Sequence, residues 1–197
     1  MRPDARLCLV PDFSNLELAT PRLRLTPMTE SDAPALFEIL SDPVVTRYWS
    51  SPPWTEMSQA LAMMERDRKG ATAGEQIRFG LRRQVEGDLI GVCSLFAIDF
   101  SNRRAEVGYA LARRAWRQGF LQEALTALIN HGFNVLDLNR IEADTDPRNE
   151  ASKRSLERLG FVKEGFLRER WHVNGEVCDT DFYGLLRKDW RLTQAAE

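Results

Sequence analysis

The sequence predicts one domain of the α/β class (α+β in stricter schemes), a mixed sheet of about seven strands with about four helices on its faces. Three observations carry that expectation. The hydrophobic period switches repeatedly between two and 3.6 along the chain, so strands and helices alternate. Asn174-Gly175 stands between two strand-like runs, a strong hairpin signal. The 197 residues, 43% hydrophobic and 28% charged, suffice for one buried core and match globular averages.

The elements follow in order. Residues 1–15, with Pro3 and Pro11 and no clear period, read as an N-terminal tail; 16–190 read as the domain and 191–197 as a C-terminal tail. In 16–28, Leu23 and Leu25 alternate with Arg22 and Arg24, which suits a half-buried strand. Ser31 offers an N-cap and Pro34 a first turn to a helix with Leu36, Phe37 and Leu40 on one face. Pro43, Pro52 and Pro53 interrupt the chain, and Thr55 can cap a second helix over 56–69 that ends before Gly70. Residues 77–84 and 89–98 form a hairpin around Glu86-Gly87-Asp88, and 102–111 a further strand. A helix over 120–133 carries Leu121, Ala124, Leu125 and Leu128 at helical spacing. A strand at 140–145 and a helix at 149–160, closed by Gly160, precede the Asn-Gly hairpin of 161–173 and 176–186.

Bulk composition excludes several classes. Lys and Arg number 27 against 29 Asp and Glu, a net charge of -2, which argues against a dedicated nucleic-acid binder. Cys8, Cys93 and Cys178 are far apart, and with only His131 and His172 beside them they offer no metal-ligand spacing. A reducing cytoplasm suits these thiols. The N-terminus has charges where a signal peptide needs its apolar core, and no apolar stretch is long enough to span a membrane.

Residues 113–125, RRAWRQGFLQEAL, place three arginines and one glycine directly ahead of a helix. Two readings fit. The segment is either a helix start with solvated arginines or a seat for a phosphorylated ligand, because a helix N-terminus points free N–H groups and about half a positive charge at one spot.

The surrounding residues resemble the GNAT acetyltransferases, most closely the RimJ/RimL-type branch. The resemblance runs through Glu106-Val107-Gly108-Tyr109, Trp116-Arg117-Gln118-Gly119-Phe120 and Glu123-Ala124-Leu125. It continues through Asn139-Arg140-Ile141-Glu142-Ala143, Asn149-Glu150-Ala151-Ser152 and Leu159-Gly160-Phe161, and in all covers roughly residues 16–190. It implies the GNAT fold, with a mostly antiparallel twisted sheet. It further implies acetyl-CoA as donor, no metal, and a primary amine as acceptor, either a protein N-terminus of the ribosomal type or a small molecule.

The same resemblance assigns residues. Strands 104–111 and 140–145 would splay around the pantetheine arm, with Tyr109, Ala110 and Leu111 beside it and a strand N–H near Ala110 on the thioester carbonyl. Arg114, Arg117, Gln118, Gly119, Phe120, Leu121 and Gln122 would form the pyrophosphate seat. The family pattern there is Gln/Arg-x-x-Gly-x-Gly/Ala, of which this chain keeps the central Gly119; Leu121 stands at the last position. Asn149 and Ser152 would meet the pantetheine and the sulfur.

The chemistry needs a neutral amine. An α-amine with a pKa near 8 is about one-tenth neutral at pH 7, whereas a lysine costs about 4 to 5 kcal/mol to deprotonate. Glu106 matches the glutamate considered a base in RimL-type enzymes; alternatively it is a strand carboxylate paired with Arg103 or Arg104. Many relatives place a tyrosine acid seven residues after the motif asparagine, where this chain has Leu156, and the RimL branch uses the serine found here as Ser152. Ser152 either bonds the sulfur or serves only the first turn of its helix.

Trp49, Trp54, Phe96, Trp171 and Tyr183 are candidates to line the acceptor pocket, or are core aromatics. Asp179 and Asp181 face either the acceptor or solvent. His131 reads as structural and His172 as solvated. The C-terminal strand pair offers an edge for a homodimer. A CoA-binding regulatory module without turnover is the alternative to an enzyme.

Overall fold

The computed structural model describes residues 11–194. Cys8, most of the expected N-terminal tail and 195–197 lie outside the described residues. The strands are β1 (Leu18–Ala19), β2 (Leu23–Thr26), β3 (Ile77–Arg83), β4 (Leu89–Asp99), β5 (Arg104–Leu111), β6 (Arg140–Thr145), β7 (Val162–Val173) and β8 (Glu176–Leu186). The α-helices are α1 (Ala33–Ser41), α2 (Ser58–Thr72), α3 (Phe120–Asn134), α4 (Glu150–Arg158) and α5 (Arg187–Gln194). One sheet contains all eight strands in the order β1-β2-β3-β4-β5-β6-β8-β7. Every neighbouring pair is antiparallel except β5 and β6, which are parallel.

The mixed sheet expected from the sequence is present, with one strand more. The run at 16–28 breaks at Pro21, which cannot donate to a ladder, and its two halves fold back as the β1–β2 pair with Leu18 opposite Leu25. Ser31 does not cap α1; a 3-10 turn at Glu30–Asp32 intervenes, and the Asp32 carboxylate accepts the Thr29 N–H at 2.7 Å. The second helix does not stop before Gly70. A Cβ there would stand 2.6 Å from Gln76, so this glycine permits close packing inside the helix, and the left-handed Gly74 (φ +68°) follows the helix end instead. Gln59, rather than Thr55, serves that helix's start by accepting the N–H groups of Thr55 and Glu56. Phe13, in the expected lead-in, is buried in the core.

Each sheet face buries its own cluster. On one, Leu25, Phe79, Leu95, Ala105 and Val107 meet Leu125, Leu128 and Phe133 of α3 and Leu156 of α4. On the other, Leu36, Ile39 and Leu40 of α1 and Ala60, Met63 and Met64 of α2 cover Val92 and Ala110. The alternation of β5 divides its side chains between these faces. Val107 and Tyr109 go with α3 and α4, whereas Glu106, Gly108 and Ala110 go with α1 and α2.

Candidate active site

The two parallel strands at the sheet's centre separate. β5 and β6 pair at Arg104 with Arg140, Ala105 with Ile141 and Glu106 with Glu142, and no further. Beyond these pairs β5 continues to Leu111 and β6 to Thr145, leaving a V-shaped gap between them. Backbone groups along a strand alternate in direction. Ala112 donates to Ile90 on the β4 side, and Arg140 donates to the Arg103 carbonyl on the β6 side. The N–H groups of Val107, Tyr109 and Leu111 therefore face the gap, while that of Ala110 faces β4. The strand N–H groups near Ala110 that face the gap are thus those of its neighbours Tyr109 and Leu111. The Leu111 carbonyl, also on the gap side, is taken by the Trp116 indole at 2.6 Å.

At the end of β5 the chain turns through Arg113–Ala115 into α3. Arg117 (φ +60°) and Gly119 (φ +80°) both adopt left-handed backbone. Alternation of hands around a turn curls successive N–H groups toward one concavity. None of the N–H groups from Arg117 to Gln122 bonds a chain carbonyl among the described residues; the first such bond is Glu123 to Gly119 at 3.1 Å. The Leu121 side chain turns inward against the core and leaves its N–H at the helix start. Gln118 folds back on the Arg114 carbonyl at 2.8 Å, and Phe120 is buried.

The arginines divide. Arg114 is held by Glu38 at 3.1 Å and the Leu89 carbonyl at 2.9 Å, so it fastens the turn to α1 and β4. Arg113 stands 3.8 Å from Asp42. Arg117 is exposed, with no ion-pair partner among the described residues. Arg22 was not read as part of this site. It donates to Glu123 at 2.6 Å and to the Gln118 carbonyl at 2.9 Å, and its guanidinium lies 4.6 Å above the Phe120 ring. Its partner is about a hundred residues away, so no local pattern reveals it.

The gap opens into a cavity of about 500 Å³ lined by Trp49, Phe96, Gly108, Tyr109, Asp144, Asn149, Ser152, Trp171 and Asp179, among others. Of the expected acceptor aromatics, Trp49, Phe96 and Trp171 are thus at the site. Trp54 instead packs against α1 and α2, and Tyr183, 1% exposed, is core. Tyr183 is drawn inward because its strand neighbours in alternation, Asp181 and Leu185, share the helix-covered face. Asp181 faces neither acceptor nor solvent; it is buried beside the Lys163 ammonium. Asp179 accepts the Glu169 N–H at 2.8 Å.

Glu106 lies opposite Phe96 and Glu142 at the closed end of the gap, next to the cavity rather than in its wall. Neither arginine expected beside it pairs with it: Arg104 bonds Glu142 at 3.1 Å and Arg103 reaches Asp137 at 2.9 Å. Burial, then the charges of Asp144 and Glu142, push the Glu106 carboxyl above its ordinary value, against the weaker pull of Arg170 and Arg104. Asp144, unremarked in the sequence, shares this face through the alternation of 140–145 and accepts the Trp171 indole N–H at 3.1 Å.

Across the gap, Asn149 caps α4 by accepting the Ser152 N–H at 3.1 Å. The Ser152 hydroxyl is 2.8 Å from the Tyr109 hydroxyl. Leu156, where many relatives carry a tyrosine, is buried.

A splayed parallel pair ending in a loop of free N–H groups has room for an extended ligand and donors suited to an anionic end. Residues 22–162 match the family model described as an acetyltransferase (GNAT) domain.

The chain belongs to the GNAT acetyltransferase family. This GNAT chain is 39% identical over 173 residues, 88% of its length and 97% of the relative's, to an uncharacterized N-acetyltransferase p20 of Bacillus licheniformis. It is 31% identical over 118 residues to the [ribosomal protein uS5]-alanine N-acetyltransferase of Escherichia coli, covering 59% of this chain and 61% of that one. Mycobacterium smegmatis RimJ, solved with CoA-disulfide, shares the fold at a TM-score of 0.82 and 21% identity over 94% of this chain and 97% of that one. The spermidine N-acetyltransferase of Vibrio cholerae, solved with CoA and spermine, does so at 0.76 and 22%, over 86% and 98%.

Proposed function

We propose that this GNAT acetyltransferase moves an acetyl group from acetyl-CoA to a primary amine, a protein N-terminal α-amine of the ribosomal type or a small-molecule amine. One observation carries the reading. The unpaired central gap has an un-neutralised carboxylate, Glu106, on one face and a hydroxyl, Ser152, on the other. Acyl transfer from a thioester needs a proton acceptor and a donor on opposite sides of the reacting carbon.

In this reading the N–H groups of Arg117 to Gln122 hold the pyrophosphate, and those of Tyr109 and Leu111 hold the arm. An N–H on the gap side of β5 polarises the carbonyl. The amine enters past Trp49, Phe96 and Trp171, and Asp144 draws its charged form inward. Glu106 takes the proton through one water, since it stands outside the cavity wall. Ser152 donates a hydrogen bond to the departing sulfur. Cys93 and Cys178 are free thiols, which fits a reducing cytoplasm.

The experiment is an acetyl-CoA consumption assay with purified protein over N-terminal peptides, amino acids, polyamines and aminoglycosides, preceded by calorimetric titration with CoA. CoA binding with turnover on at least one amine class is expected. CoA binding with no turnover on any class would instead identify a regulatory module.

A further inference from the structure

We propose that the Tyr109 phenol is a positioning residue for the sulfur end of the site: it donates its proton to Ser152, so that the serine's own hydrogen is directed into the gap. This rests on the acyl-transfer reading above and names how one half of that site is kept in the correct state.

The two hydroxyls can share their hydrogens in two ways. Tyr109 and Ser152 belong to different elements, β5 and α4, on the two sides of the gap, and their hydroxyls meet at 2.8 Å. Each oxygen carries one hydrogen, so one of the two donates to the other and one hydrogen is left over. A phenol is the stronger acid of the pair and hence the better donor. The surroundings act in the same direction. The Tyr109 ring packs against the apolar cluster beneath α3, and its hydroxyl has no second hydrogen-bond partner among the described residues. If Ser152 donated, the phenolic hydrogen would be left without a partner among the described residues in a largely desolvated setting, which is costly. With Tyr109 donating, the leftover hydrogen belongs to Ser152, which lines the cavity. The serine is fixed from its other end as well, because its N–H is held by the Asn149 cap at 3.1 Å.

Burial pushes the phenol up to about 12, so Tyr109 is protonated throughout the physiological range. It is therefore a permanent donor and does not itself deliver a proton. Nor does the balance of the reaction require it to. The neutral amine forms the new C–N bond, its proton passes to Glu106, and the C–S bond breaks with its electron pair going to sulfur. The products are the amide, the CoA thiolate and protonated Glu106. A thiol titrates near 8.5, so the thiolate needs a hydrogen bond to stabilise it rather than a full proton, and Ser152 keeps its hydrogen. A serine whose hydrogen was turned toward Tyr109 would present lone pairs to the developing negative charge, which is repulsive. Leu156 places no hydroxyl here in compensation.

The test reads the thiol of bound CoA directly. The thiolate's ultraviolet absorbance is titrated on CoA complexes of the wild type, Tyr109→Phe, Ser152→Ala and the double variant, with kcat measured in parallel. Each single substitution is expected to raise the bound thiol's pKa by about one unit and to slow turnover about tenfold, at nearly unchanged CoA affinity. The double variant should match Ser152→Ala alone, because Tyr109 acts only through the serine. A Tyr109→Phe protein with the wild-type thiol pKa overturns the proposal. So does one whose shift persists undiminished when Ser152 is already alanine, since that is the behaviour of a general packing defect. Failure of the wild type to bind CoA at all would overturn the acyl-transfer reading itself, a result distinct from either.

Discussion

Glu106 is set apart from its neighbours by their pairing. Glu142, one strand away, pairs with Arg104 at 3.1 Å and Arg140 at 2.6 Å, whereas no ion pair to Glu106 forms among the described residues. Glu106 is left half-buried among acids, and its carboxyl is raised by burial first and by Asp144 and Glu142 next. A raised carboxylate is a better proton acceptor than a free one as long as it is ionised. Glu106→Gln should lower kcat about a hundredfold and leave CoA affinity intact, as stopped assays and titration calorimetry would show. In the wild type kcat/KM should fall as pH drops through the raised Glu106 value, and the variant should lose that limb. Stability gives the opposite sign. A carboxyl raised on folding destabilises the fold when ionised, so Glu106→Gln should melt higher than the wild type at pH 7. That gain should vanish below the ordinary carboxylate value of 4.5, where the wild type is protonated both folded and unfolded. A variant no more stable at pH 7 would mean that the carboxylate is solvated after all.

At the scale of elements, the start of α3 depends on a segment far from it in sequence. Arg22, in the turn between β1 and β2, holds both the Gln118 carbonyl and the Glu123 carboxylate, and Thr20 and the Arg22 N–H bond the same carboxylate. Arg22→Ala should weaken CoA about tenfold at any ionic strength, because charge-assisted bonds that shape the loop are lost. Arg117→Ala removes only an exposed charge, so it should weaken CoA about threefold at low salt and hardly at all at high salt. Calorimetric titration at two ionic strengths separates them; equal salt dependence would contradict these roles. The sequence revealed this element unevenly. Gly119, the helix start and the inward Leu121 are local features and were legible. The structural partners of Arg114, Glu38 and the Leu89 carbonyl, lie in distant segments and were not legible. Which strand N–H near Ala110 faces the gap depends on ladder phase, which one strand's sequence does not contain. Gly70 misled for a similar reason: only the packing of Gln76 against it explains a glycine inside α2.

At the scale of the molecule, the motifs around Glu106, Gly119 and Asn149 placed the gap correctly because each is local, and their order implied the fold. The cavity wall was less legible: Trp49, Phe96 and Trp171 reach it while Trp54 and Tyr183 do not, and only the folded sheet separates them. The same architecture makes the centre of the molecule its weak seam. The β1–β5 part of the sheet joins the β6–β8 part through three register pairs, Arg104 with Arg140 through Glu106 with Glu142. Beyond them little backbone pairing ties β5 to β6, and the Tyr109–Ser152 bond is one of the few links across the opening. A ligand whose arm fills the gap replaces the missing ladder and should stabilise both parts together. CoA at about 100 times its Kd adds about 2.7 kcal/mol, which for a chain of this size raises Tm by about 5 to 10 °C. Hydrogen exchange locates the effect. CoA should slow exchange at 107–111 and 140–145 together with the start of α3. ADP, which has the pyrophosphate but no arm, should protect the start of α3 alone. Protection by CoA confined to α3 would mean that the gap between β5 and β6 is not where the arm lies.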